Sequence, residues 1–165
     1  MTTSLSGSSY SRKENTTTYT VLPYGSAIMP GEWLKGRYNE QSRQQVFVSK
    51  ADSTRLTIAI GPADKFPFSA PSMTGFEFVK SYYYWESGYQ KNTLHQKIQL
   101  FQTDSVNKFI LWKIHSDSVN MLQLVGSKEC NCKEGAFQSM TIKGGKGTDL
   151  DKAALLRKIY LGSNN

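Results

Sequence analysis

Cys130 and Cys132 stand two apart in GSKECNCKEG, and a Cys-x-Cys pair can lend two thiolates to a metal. A structural zinc wants four ligands, and the remaining soft donors are His95 and His115. If HSDS turns a hairpin, His115 lies at the far end of the sheet from Cys130, about 30 Å away at ~3.3 Å per residue. The metal alternative at Cys130 and Cys132 is therefore short of ligands. Neither cysteine has a base or helix N-terminus marked out beside it, and solvated Lys128 and Lys133 would lower a thiol pKa only weakly. The two read as free thiols in a loop, with pairing to another chain or to each other as alternatives.

The carboxylates point to turns rather than to acid-base chemistry. Asp52, Asp64, Asp104 and Asp117 are isolated among turn-forming residues, where an Asp side chain satisfies local backbone groups. GGKG at 144–147 precedes a predicted helix but lacks the spacing of a phosphate-binding loop or a dinucleotide fingerprint, so it reads as a linker. No catalytic residue and no cofactor is assigned from the sequence.

The densest aromatic stretch is SYYYWESGYQKN at 81–92. Ahead of it, Thr74 and Glu77 have the spacing of a capping box, which starts a helix just before Phe76, and Gly88 is a natural stop. At about 100° per residue, Phe78, Tyr82, Trp85 and Tyr89 form one stripe, the spacing of a buried face. A buried tyrosine hydroxyl needs a partner, so the tips of Tyr82, Tyr83 and Tyr89 are expected at the edge of the layer, where they would line a cleft. Tyr84 points elsewhere and is expected to be exposed.

These side chains must be positioned by a body of 165 residues, enough for one domain that buries roughly 70% of its unfolded surface. With 38% apolar and 20% charged residues the chain suits a soluble globular domain rather than a disordered or membrane-embedded one. No apolar run approaches the length of a spanning helix. Residues 1–16 read as a flexible polar arm, 17–162 as the domain and 163–165 as a tail. The Ser/Thr-rich start and low charge content lean toward an exported or envelope protein, though no signal peptide is present in the chain as given. The net charge of +7 raises nucleic-acid binding as an alternative, but the cations are scattered from Arg12 to Lys158 without clustering.

Strands alternate clearly over QQVFVSK and TRLTIAI, which the short ADS joins into a hairpin. TYTVLP reads as a first strand, YGSAIMPG as a turn, and EWLKGRY as ambiguous between helix and strand. After the aromatic helix, KIQLFQ, KFILWKI, VNMLQLV and AFQSMTI are separated by connections short enough for an antiparallel meander. KFILWKI is apolar on both alternations, as in a central strand covered on both sides. TDLDKAALLRKIYLG reads as a helix capped by Thr148, with Asp149 and Asp151 in its first turn. The expected fold is α+β: an antiparallel sheet greasy on both sides and roofed by a helix on each face, leaving little interior room for a reactive pocket.

Hairpin, helix, meander and final helix, with GEWLKGRY, FEFVKSYYYW and TDLDKAALLRKIYL in their places, resemble the α/β/α sandwich of the Mog1/PsbP-like group over residues 17–162. That resemblance implies a non-enzymatic binding or assembly factor. The GEW near the start of the body also resembles the early Gly-x-Trp of lipocalins, which would imply a β-barrel with a small ligand. The reading carried forward is a binding module for a protein partner, with contacts at Trp33, Tyr38, Phe66, Tyr82, Tyr84 and Tyr89. Its surface is expected where the tyrosine tips, the Pro-rich loop 61–71 and EWLKGRY converge.

Overall fold

The computed structural model describes residues 4–70 and 73–162, so the first three residues of the arm, Pro71 at the end of the Pro-rich loop with Ser72 after it, and the tail 163–165 lie outside the described residues. Ten strands and two helices run in the order β1 Leu5–Ser11, β2 Thr16–Leu22, β3 Gly25–Pro30, β4 Trp33–Asn39, β5 Gln44–Ser49, β6 Arg55–Pro62, α1 Gly75–Asn92, β7 Lys97–Asp104, β8 Phe109–His115, β9 Asn120–Lys128, β10 Ala136–Lys143 and α2 Asp149–Gly162. The large sheet has seven strands in the order β4-β5-β6-β10-β9-β8-β7, and β1-β2-β3 form a separate sheet. Every pairing is antiparallel. The class is α+β, with a helix on each face of the large sheet. That sheet ends in β4 and β7 and does not close, which removes the lipocalin-like barrel.

The β5–β6 hairpin and the β7–β10 meander follow the alternation of their sequences. In β8, Phe109 and Leu111 enter the core beneath α2, while Ile110, Trp112 and Ile114 enter the core beneath α1. The α2-side core also takes Tyr19 and Met29 from the small sheet, so that face is covered by a helix and by β2 and β3 together. The other face is covered by α1, which packs on β7, β8 and β9, and by the loop after β6.

Several expectations are corrected at the N-terminal end. Residues read as a polar arm form β1, whose Ser6 and Ser8 lie opposite Val21 and Tyr19 of β2. YGSAIMPG, read as a turn, supplies β3, because Ala27 and Met29 alternate into the core. EWLKGRY resolves as a strand with an irregularity between Lys35 and Tyr38. The Gln45 amide is buried beside it and donates to Gly36 O at 2.9 Å and Val46 O at 3.0 Å, satisfying carbonyls the ladder leaves open.

Both helices begin where expected, by different means. Thr148 and Asp151 form a reciprocal box, Thr148 N–H donating to Asp151 Oδ2 at 2.9 Å and Asp151 N–H to Thr148 Oγ1 at 3.2 Å. At α1, Thr74 is extended but makes no side-chain cap, and Glu77 pairs with Lys80 instead. Gly88 does not stop α1. It lies inside a helix that runs to Asn92, because Gln90 two residues later is held by tertiary hydrogen bonds that outweigh a glycine's cost of ~1 kcal/mol. No helix among the described residues is long and apolar enough to cross a membrane.

Candidate functional site

Where α1 leaves β6 uncovered, a cleft of about 490 Å³ opens between the helix, the end of β6, the loop after it and the β4–β5 turn. Its walls carry Phe66, Tyr82, Trp85, Glu86 and Phe137, with Arg43 and Lys65 at the rim. Phe66 is the keystone. Its ring lies 4.9–5.7 Å from those of Phe68, Phe78, Tyr82, Trp85 and Phe137. The three edge-on contacts, to Tyr82, Trp85 and Phe137, use the favourable quadrupole arrangement. Trp85 meets Phe66 at the mouth and remains 41% exposed.

Behind the aromatic wall, polar side chains converge between α1 and the sheet. Trp112 Nε1 donates to Gln90 Oε1 at 3.0 Å, and Gln90 Nε2 donates to Gln123 Oε1 at 2.9 Å and Glu86 Oε1 at 3.2 Å. Gln123 Nε2 continues to Ser139 Oγ at 3.1 Å, which also receives the Tyr82 hydroxyl at 3.4 Å. The layer beneath α1 is thus not purely apolar, a correction with a physical cause. Trp112 and Tyr82 are buried and their polar atoms must be answered from within. The Tyr82 tip accordingly points inward rather than to the edge of the layer.

Glu86 is the ionisable end of this network and faces the cleft. Burial raises its carboxyl above the usual range, opposed by the Gln90 hydrogen bond. Burial, with the Glu86 charge second, also pushes the Tyr82 phenol far above its usual value, so Tyr82 stays neutral. The arrangement can accept an apolar or aromatic group against Phe66 and Trp85 while Glu86 answers a donor.

Of the residues singled out from sequence, the structure brings Phe66 and Tyr82 into the cleft and places Tyr89 one turn beyond Trp85. Trp33 is buried in the α2-side core, its indole N–H donating to Pro30 O at 2.8 Å. Tyr38 is exposed but pairs with Gln45, in a row that leads to Ile58 of the same α2-side core. Tyr84 is 70% exposed, as expected, and its ring neighbour is Tyr83 at 5.4 Å rather than any residue of the cleft wall. From the β4–β5 region the cleft takes the turn 41–44 instead of EWLKGRY. Trp85, Glu86, Phe137 and Arg43 were missed. Glu86 could have been found as the lone carboxylate inside YYYWE.

No family model matches the chain, and no curated protein matches it.

The remaining candidates resolve differently. Cys130 and Cys132 are bonded to each other, not free thiols, so neither offers a thiolate in this state. No group of three or more His, Cys, Asp or Glu capable of holding a metal occurs among the described residues. In the GGKG loop, the Lys146 N–H is directed at Asp52 Oδ2 at 3.4 Å, so a carboxylate already occupies the place a phosphate would take. The two hydrogen bonds Asp52 receives from Thr54 depress its pKa and keep it ionised.

Proposed function

We propose that this protein is a non-enzymatic binding module that engages a protein partner through the cleft between α1 and the end of β6. The observation that carries this reading is Trp85, a large ring left 41% exposed at the mouth of an aromatic cleft and propped there by Phe66. Tryptophan and tyrosine dominate interface energetics when they are held rigidly beside a pocket that a partner can desolvate. Glu86 supplies one polar anchor beside that apolar surface. The polar groups behind the wall answer one another, which is the behaviour of a structural network. The resemblance in element order to the Mog1/PsbP-like group, whose members are mainly binding or assembly factors, implies the same kind of role.

Peptides selected from an unbiased 16-residue display library on the intact protein test this. Enriched peptides should carry an aromatic or long aliphatic anchor and lose ~10-fold or more in affinity on Trp85→Ala, with the far-UV spectrum unchanged and the protein still folded at the assay temperature despite a melting temperature lower by about 4–8 °C. Peptides that bind the Trp85→Ala variant as well as the parent would end the proposal.

A further inference from the structure

The two faces of the large sheet are unequally covered. On one, α2 spans β9 and β10 while β3 packs on α2 and β6. On the other, α1 packs on β7, β8 and β9, and among the described residues no helix packs closely on β4 or β5. The bare part of this face follows from the register. Val46 lies opposite Thr57, and Thr57 opposite Thr141. In the next row on the same face Leu34 lies opposite Val48, Val48 opposite Arg55, and Arg55 opposite Lys143. Lys143 in turn lies opposite Met121, which packs in the core under α1 and so identifies the face.

This strip has a direction. It begins at the cleft, where Phe66, Trp85 and Glu86 stand around Ala59, and ends at Arg55 and Lys143. Its floor is made of small side chains, Val46, Thr57, Val48 and Thr141, with Leu34 half exposed on β4. Three strands at ~4.8 Å spacing give a bed about 14 Å wide, room for one helix of ~10 Å diameter. Arg55 and Lys143 are both exposed and make no ion pair among the described residues. Two adjacent cations stand at one end, while at the cleft Glu86 is accompanied by Arg43 and by Lys65, which pairs with Asp64 at 3.8 Å, so the Arg55 and Lys143 end is where a partner's acidic side chains are most directly complemented.

We infer that the uncovered half of this face receives an amphipathic helix from a partner protein, with an apolar anchor in the cleft and acidic side chains over Arg55 and Lys143. The inference rests on the cleft reading for its anchor and adds the partner's form, charge and direction. From Ala59 to Arg55 the strand advances about 13 Å, which a helix covers in roughly nine residues and an extended chain in about four. A helical partner therefore separates anchor and acidic residues by two helical turns or slightly more. Acidic side chains suit the end where Arg55 and Lys143 lie side by side.

The test uses the same 16-residue display library on the intact protein and on Arg55→Glu/Lys143→Glu, with Trp85→Ala in parallel. The expected peptides carry Asp or Glu about seven to nine residues from an aromatic or long aliphatic anchor, become helical on binding, and lose ~10-fold or more on the charge-reversed variant. Because the whole chain carries +7, each peptide is compared with a scramble of the same composition. Scrambles that bind equally well reveal bulk attraction only and overturn the inference. Peptides that depend on Trp85 but show no acidic bias also overturn it, and leave the cleft reading standing. Register-dependent acidic peptides that respond to charge reversal but not to Trp85→Ala support the helix bed and reject the cleft as its anchor. An acidic residue four positions from the anchor in a non-helical bound peptide overturns the helical form.

Discussion

Trp85 meets Phe66 with ring centroids 5.6 Å apart and planes at 68°, so a partly exposed ring on α1 fastens the loop that follows β6. The two ends of this contact are not equivalent. Phe66 touches four further rings, whereas Trp85 has an open side. Trp85 also meets Phe68 at 5.7 Å and Tyr82 at 5.8 Å, so Trp85→Ala should lower unfolding stability by about 2 kcal/mol, while Phe66→Ala, whose ring meets five others, should cost about 3–4 kcal/mol. Urea denaturation of both variants checks this, and equal losses would place Trp85 in the core.

Glu86 makes stability depend on pH in a definite direction. Its carboxyl titrates higher in the folded than in the unfolded chain. Its favourable contribution is therefore complete below the ordinary carboxylate pKa and is lost as pH rises through the raised value. Glu86→Gln should raise the melting temperature at pH 7, and the gain should shrink toward zero as the pH falls below about 4. A gain that persists unchanged in acid would mean that ionisation is not its source.

Tyr160 of α2 lies across Gly126 of β9 so closely that a Cβ there would overlap its ring. Its hydroxyl reaches the carbonyls of Asn107 at 2.8 Å, Ser127 at 2.9 Å and Lys108 at 3.1 Å, donating to one at a time. Gly126→Ala should destabilise by ~3 kcal/mol or more, since β9 and α2 must part to admit a methyl group. Tyr160→Phe keeps the ring and should cost ~1–3 kcal/mol for the lost hydrogen bond. Chemical denaturation of the two variants measures both, and a neutral Gly126→Ala would refute the close packing.

Lys128 titrates in the opposite sense to Glu86. Burial lowers its pKa to about 8, although its Nζ donates to Tyr160 O at 3.2 Å and sits 4.6 Å from the centre of the Tyr160 ring. The stability tied to its neutral form is present above the ordinary lysine pKa and lost as pH falls through 8. Unfolding stability should therefore rise from about pH 8 to pH 9.5, before tyrosines begin to ionise in the unfolded chain. Lys128→Met should flatten that rise, and an unchanged slope would assign it to other groups.

The hairpin of β5 and β6, the four-stranded meander and both helices were legible because each buries a face whose period is written into neighbouring residues. Tyr84 pointed outward for the same reason. β1 was not legible: its seven residues are exposed or nearly so, and it becomes a strand only because β2 lies beside it. Trp33 looked like a surface anchor, and it is buried in the α2-side core, where its backbone N–H meets Thr17 Oγ1 and its indole N–H meets Pro30 O.

The amino-acid order by itself determined the element types from β5 onward, their antiparallel connections and the need for a cover on each face, since these depend on local period, caps and turn residues. Only the tertiary structure decided that β10 returns to pair with β6, which puts α1 over one half of the sheet and leaves the other half bare. That pairing joins residues some eighty positions apart, and no local pattern records how far along a sheet a helix will settle. The exposure of Trp85, the inward turn of the Tyr82 hydroxyl and the row that brings Arg55 beside Lys143 all follow from it.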